Sequence, residues 1–257
     1  MKRYAVLAIL LFFSGTALAD EVPIVSVAEG GACIDGVNGY ICHHVTEGHD
    51  ITLRVDQPEG AACKELKVMA TQTSTRLEMP LPDDAVRQTG KDCQHQEFIF
   101  TAPLVKRETE FYLRVLYRNQ GAWTKIQDVN LKAYPATLLD GVRSWADNDK
   151  NALVVKDKEG EFTAFLDRNK IRYYGSANTP RDVAVAVIVV GEPEENEKPE
   201  NNTLFLEEKS FGIAKVKILE KENIITVRTQ LKLMASLKAD DPLAQKEFAE
   251  LFAIIAK

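Results

Sequence analysis

In the first half of the chain, apolar residues recur at every second position. Ile51, Leu53 and Val55 alternate with polar neighbours, as do Phe111, Leu113, Val115 and Tyr117. This is the period of a strand with one buried face and one wet face. Strands are predicted at 24–28, 51–56, 65–70, 97–101, 110–118 and 123–132, with Gln57-Pro58-Glu59-Gly60 and Leu81-Pro82-Asp83-Asp84 as turns between them. After Pro135 the spacing becomes helical: Leu138, Leu139, Val142, Trp145 and Ala146 share one face, as do Phe162, Phe165 and Leu166. The run Val183–Val190 is apolar on both faces, which suits a central strand covered by helices on both sides. Strands at 152–156 and 171–174 accompany it, and 211–220 with 223–230 read as an edge hairpin joined through Lys221-Glu222. Asp241 before Pro242 predicts the N-cap of a last helix, whose stripe is Ala244, Phe248, Leu251, Phe252 and Ile255. The expected fold has two domains: an all-β sandwich over 20–134, then a small α/β domain with a mostly parallel sheet over 135–257.

Residues 1–19 change the picture of location. Lys2 and Arg3, the apolar run Ala5–Phe13 and small residues at Ala17 and Ala19 have the form of a cleavable signal peptide, too short to span a bilayer. The expected location is periplasmic or secreted. The whole chain carries a net charge of −6, and losing Lys2 and Arg3 makes it two units more negative. Such a surface repels nucleic acid and anionic lipid, which leaves an envelope protein or glycan as the expected partner. Six or seven strands in the stretch to Tyr134 resemble an immunoglobulin-like or fibronectin-like sandwich. The cysteines depart from the antibody pattern: Cys63 and Cys93 are closer than its inter-sheet pair, and no Tyr sits two residues before Cys93.

Cys33, Cys42, Cys63 and Cys93 are the chain's cysteines, and His43, His44, His49 and His95 its histidines. An even number of cysteines in an exported chain predicts disulfides, although four allow more than one pairing. Asp35-Gly36 and Asn38-Gly39 favour a reversal that joins Cys33 to Cys42, leaving Cys63 and Cys93 to staple neighbouring strands. A metal site built on His43, His44, His49 and His95 is the alternative, but its spacings match no known ligand pattern. No cofactor is expected. Tyr40, in a Gly-rich loop, and Trp123, at a hairpin end, are the candidate binding surface; the competing reading packs Trp123 into the core.

The tail, Ile224-Ile225-Thr226-Val227-Arg228-Thr229-Gln230-Leu231 followed by Asp241-Pro242-Leu243-Ala244 and Leu251-Phe252, resembles the end of class I glutamine-amidotransferase-like domains. The likeness is to the non-catalytic, flavodoxin-like versions appended to secreted bacterial proteins. Active members use a Cys nucleophile and a His base, and residues 135–257 contain neither. The turn matching their nucleophile position reads Gly191-Glu192-Pro193-Glu194, without a hydroxyl or thiol. The acidic stretch 192–202 reads as a solvated loop, with calcium as the alternative. Asp157 follows a strand as the phospho-accepting Asp of receiver domains does, but an exported chain meets no phosphodonor. The expected function is a non-enzymatic binding or scaffolding protein of the bacterial periplasm or cell envelope. The alternative is an accessory protein or weak hydrolase in glycan or envelope metabolism, with its site in the interdomain cleft.

Overall fold

The structure is a computed structural model that describes residues 22–27, 31–34, 41–58, 62–74, 77–90, 92–191, 202–207, 215–220, 223–228 and 233–256. For 31–34, 207, 215–220 and 223–228 it describes the backbone alone. The expected signal peptide therefore lies outside the described residues.

The alternating half of the chain forms strands in the order β1 (Ile24–Val27), β2 (Gly31–Ile34), β3 (Ile41–Thr46), β4 (Asp50–Asp56) and β5 (Leu66–Ser74). These are followed by β6 (Leu77–Pro80), β7 (Val86–Gln88), β8 (His95–Thr101), β9 (Thr109–Asn119) and β10 (Ala122–Tyr134). Among the described residues they make two sheets, ordered β1-β4-β8-β7 and β2-β3-β10-β9-β5-β6. Pairing is antiparallel except between β3 and β10. The order is that of an immunoglobulin-type sandwich, with the continuation of the first strand moved onto the opposing sheet as β3. Ile51, Leu53 and Val55 from one sheet meet Leu113, Val115, Val129 and Leu131 from the other in a single buried cluster. The strands β2 and β3 are not among those the apolar period predicts; their register makes Cys33 and Cys42 cross-strand partners, as a reversal joining the two requires. The Cys33 side chain lies outside the described residues.

Two local features shape the sandwich. At the β9–β10 turn, Gln120 (φ 47°) and Gly121 (φ 89°) both take left-handed backbone, as a tight hairpin turn matching the strand twist requires. At the same end, where the Arg118 amide donates to the Glu65 carbonyl, Cys63 and Cys93 are joined, with Cα atoms 5.5 Å apart. They precede β5 and β8, which belong to opposite sheets. The bond therefore ties sheet to sheet, where sequence had suggested neighbouring strands.

Beyond Tyr134 come α1 (Asp140–Ala146), β11 (Asn151–Lys156), α2 (Glu161–Arg168), β12 (Tyr174–Gly175) and β13 (Ala184–Val190). Then follow β14 (Thr203–Glu207), β15 (Lys215–Glu220), β16 (Asn223–Arg228), α3 (Leu233–Lys238) and α4 (Pro242–Ile255). The sheet runs β12-β11-β13-β14-β15-β16, parallel as far as β14 and antiparallel through the β15–β16 edge hairpin. A parallel sheet is thus present, as the pattern predicted. Among the described residues, the helices expected on both faces lie on one of them. Leu153, Val155, Ala186, Ile188, Leu204 and Leu206 share one buried cluster with α1, α2, α3 and α4. Val154, Val187, Val189 and Phe205, on the opposite face, form a separate cluster with no helical residue in it. A doubly apolar strand signals burial on both sides and carries no information about what does the burying.

The Cys63–Cys93 bond closes a separation of 30 residues. Replacing both cysteines with alanine is expected to cost about 3–4 kcal/mol, from the added conformational freedom of the unfolded chain. Urea unfolding checks this, and an unchanged midpoint would contradict it.

Candidate functional site

His44 lies on β3 opposite Lys132 of β10, and therefore on the outer face of the six-stranded sheet. An imidazole there would meet water if nothing packed on it, but the start of α4 covers it. The His44 Nδ1 lies 3.1 Å from Oδ1 and 3.4 Å from Oδ2 of Asp241, the N-cap of α4. Asp241 Oδ1 also accepts the Leu243 amide at 2.9 Å, so one carboxylate both caps a helix and holds the sandwich. The His44 side chain has 0% exposure and that of Asp241 has 7%. The Tyr134 ring meets the imidazole edge-on, 5.9 Å between centroids.

Two further links accompany this pair. Lys246 of α4 donates to Glu108 at 2.7 Å, and Lys132 Nζ lies 3.3 Å from the other Glu108 oxygen. Partial burial of Glu108 opposes its ionisation, yet hydrogen bonds and charge from Lys246 and Lys132 outweigh that and lower its pKa below the usual range. Glu47 accepts the amides of Val105 (2.7 Å) and Ala136 (3.1 Å), clasping the segment that leads out of β10; these two bonds lower its pKa. Beside the His44–Asp241 pair opens a cleft of about 510 Å³ whose lining includes His49, Asp50, Arg168, Asp240 and Gln245.

A second concavity, of about 700 Å³, lies at the carboxyl ends of β11 and β13. The chain runs from β11 to β12 on one side and returns to β13 on the other, so this is the point where strand order reverses and open α/β sheets bind ligands. Here that position is occupied from within. Asp157 accepts the amides of Glu159 (3.2 Å), Gly160 (3.0 Å), Phe162 (2.8 Å) and Thr163 (3.0 Å). Its carboxylate fills the start of α2, where an external anion would otherwise find free N–H groups. The first residue after β13 is Gly191, whose amide donates to the Leu206 carbonyl at 3.0 Å.

The histidines that sequence grouped do not converge. His44 and His49 reach the cleft, while His43 is the register partner of the buried Leu131 and takes the inner side of β3. His95 pairs with Asp56 at 2.8 Å on the four-stranded sheet. Among the described residues no three His, Cys, Asp or Glu side chains are placed to hold a metal ion. Tyr40 and the acidic stretch 192–201 lie outside the described residues. Trp123 is 42% exposed, which overturns its core-packing reading: its register partner is Arg118 on the outer face, and the guanidinium lies 5.9 Å from its ring. Sequence identified Asp241 as a cap. It gave no sign of the partner, 197 residues away, because a single His carries no record of what will cover it.

No family model matches the chain, and no curated protein matches it. Among solved structures, similar chains come from a study of T cell specificity and activation by the bacterial superantigen toxic shock syndrome toxin-1, from murine CRIg and from the titin M3 domain. The first two are 7% identical with a TM-score of 0.28, covering 43% and 44% of this chain and 98% of theirs. The titin domain is 10% identical with a TM-score of 0.24, covering 44% of this chain and 97% of its own. At such scores the assignment of the sandwich rests on its own strand order. None of these matches supports the resemblance of residues 135–257 to glutamine-amidotransferase-like domains.

Removing one member of a buried pair leaves the other desolvated and unmatched. His44→Ala is therefore expected to lower unfolding free energy by about 3–5 kcal/mol, with Asp241→Asn costing less because the amide oxygen still caps α4. Urea denaturation of both variants checks this; losses under about 0.5 kcal/mol for each would contradict it. A pH effect follows from His43. Burial lowers its pKa below the usual 6.5, and the charge of His44 lowers it further. The unfolded chain then takes up a proton that the folded chain resists, so stability is intact above pH 6.5 and declines as pH falls below it. His43→Gln should flatten that decline; an unaltered slope would show that the proton uptake occurs elsewhere.

Proposed function

We propose that the protein is an exported, non-enzymatic binding or scaffolding component of the bacterial periplasm or cell envelope, without a bound cofactor. The observation that carries this reading is the His44–Asp241 pair. A His hydrogen-bonded through Nδ1 to a carboxylate is the orienting half of many hydrolytic sites. A general base must also come within hydrogen-bond reach of a substrate proton, and this imidazole has no exposed side-chain surface. The pair works as a latch between the sandwich and the α/β unit. The same holds at the strand-order reversal, where Asp157 is committed to four backbone amides. Groups that would carry chemistry are engaged in architecture, and the product is a rigid platform. An oxidising location fits the joined Cys63 and Cys93. No described helix is long and apolar enough to cross a membrane.

A second reading is favoured by one observation. Asp50 and Asp240 line the same cleft, and paired carboxylates hydrolyse glycosidic bonds when set at suitable separation. Both have other partners: Asp50 accepts the Thr101 hydroxyl at 2.6 Å, and Asp240 lies 3.3 Å from Arg168. The test is to incubate the purified protein with glutamine, envelope glycans and model glycosides, and to follow ammonia and reducing ends. No turnover is expected. Turnover abolished by Asp50→Asn or Asp240→Asn would establish the hydrolase and displace the scaffold.

A further inference from the structure

The outer face of the β9–β10 ribbon takes no part in the junction over most of its length. Alternation places five register pairs on it: Glu110 with Lys132, Tyr112 with Asn130, Arg114 with Asp128, Leu116 with Lys125, and Arg118 with Trp123. The intervening residues Phe111, Leu113, Val115 and Tyr117 enter the core, so the strip is held on a rigid base. A bulge between Lys125 and Gln127 bends β10 along this face. Between α4 at one end and the hairpin turn at the other lies a concavity of about 620 Å³, whose lining includes Thr73, Tyr112, Gln127 and Asn130.

The electrostatics of the strip limit what it can hold. Arg114 grips Asp128 through two nitrogens at 2.9 and 3.2 Å, and Lys125 adds a third contact at 3.3 Å. Lys132 lies 3.6 Å from Glu110, and Arg118 donates to Glu65 at 2.9 Å. Each cation on the face already lies against a carboxylate, Asp128 serving both Arg114 and Lys125, and Glu78 accepts the Tyr112 hydroxyl at 2.9 Å, so a strongly charged ligand must displace contacts already made. A neutral ligand rich in hydroxyls finds planar carboxylate and amide groups with unused lone pairs and donors. It also finds the exposed Trp123 ring at the open end, an apolar plate with a polar edge. From Trp123 to Lys132 the strand rise gives a track of about 30 Å, the shape of an extended chain.

We propose that this strip binds a neutral, linear glycan, with Trp123 as stacking platform and Asp128, Asn130 and Gln127 as hydroxyl partners. The inference rests on the binding reading above and names its ligand class. The experiment is calorimetric titration of the full chain with three neutral hexasaccharides, of β-1,4-linked glucose, β-1,3-linked glucose and β-1,4-linked N-acetylglucosamine, and with an anionic hexagalacturonate. At least one neutral hexamer is expected to bind saturably. Its affinity should stay within about twofold between roughly 50 and 500 mM salt, and should weaken by about tenfold or more in Trp123→Ala, with Trp123→Phe retaining most of it. Unchanged melting of the alanine variant confirms its fold. Absence of binding to all three neutral hexamers would overturn the proposal. So would a preference for hexagalacturonate, or binding indifferent to Trp123→Ala. Chromatography of the same mixtures separates the two readings: shortened hexamers would defeat the non-enzymatic function, whereas intact, unbound hexamers defeat the glycan strip alone.

Discussion

A histidine on the wet side of a β-sheet and an aspartate at the start of a helix are each ordinary; their burial against one another is the constraint on which the rest of this molecule depends. The His44–Asp241 pair removes two polar groups from water, and its attraction does little more than offset the desolvation. What it supplies is position. Asp241 is fixed by Pro242, by the Leu243 amide and by its own amide bond to the Ser236 carbonyl, so its carboxylate has one place to be. His44 is fixed by the parallel pairing of β3 with β10. Joining two such rigid points sets how the sandwich meets α4, and the Lys246–Glu108–Lys132 chain repeats the link nearby.

The elements were legible where a physical period governs them. Alternation at Ile51–Val55 and Phe111–Tyr117 reports a strand buried on one face, and the Asp241-Pro242 step reports a helix start, because each is decided locally. The strands β2 and β3 were missed for the opposite reason: Gly and Asp-Gly signals around them spoke for reversal, and β3 is stabilised by β10, far along the chain. The strand predicted at 171–174 survives only as the two-residue β12 at Tyr174–Gly175, since its neighbour β11 alone makes it a strand. Side-chain partnerships were least legible. His43 and His44 are adjacent and chemically identical, yet one turns into the sandwich and the other into the junction, a difference set by register alone.

At two places, groups with the character of a chemical site are engaged in structural contacts. In many doubly wound sheets the carboxyl ends of the strands present free amides to an anionic ligand. Here Asp157 supplies the anion from within the chain. At the junction, the residues with the acid–base character of a dyad are enclosed. The β9–β10 ribbon is open as well, with its cations set against carboxylates and Trp123 facing water. The binding function and the glycan partner proposed above rest on that face.

If the latch makes the sandwich and the α/β unit one mechanical body, they must unfold together. Differential scanning calorimetry of the intact chain measures this directly. The account predicts a single transition whose calorimetric and van't Hoff enthalpies agree. Two resolved transitions, one for each hydrophobic core, would show that the His44–Asp241 pair decorates an interface it does not control.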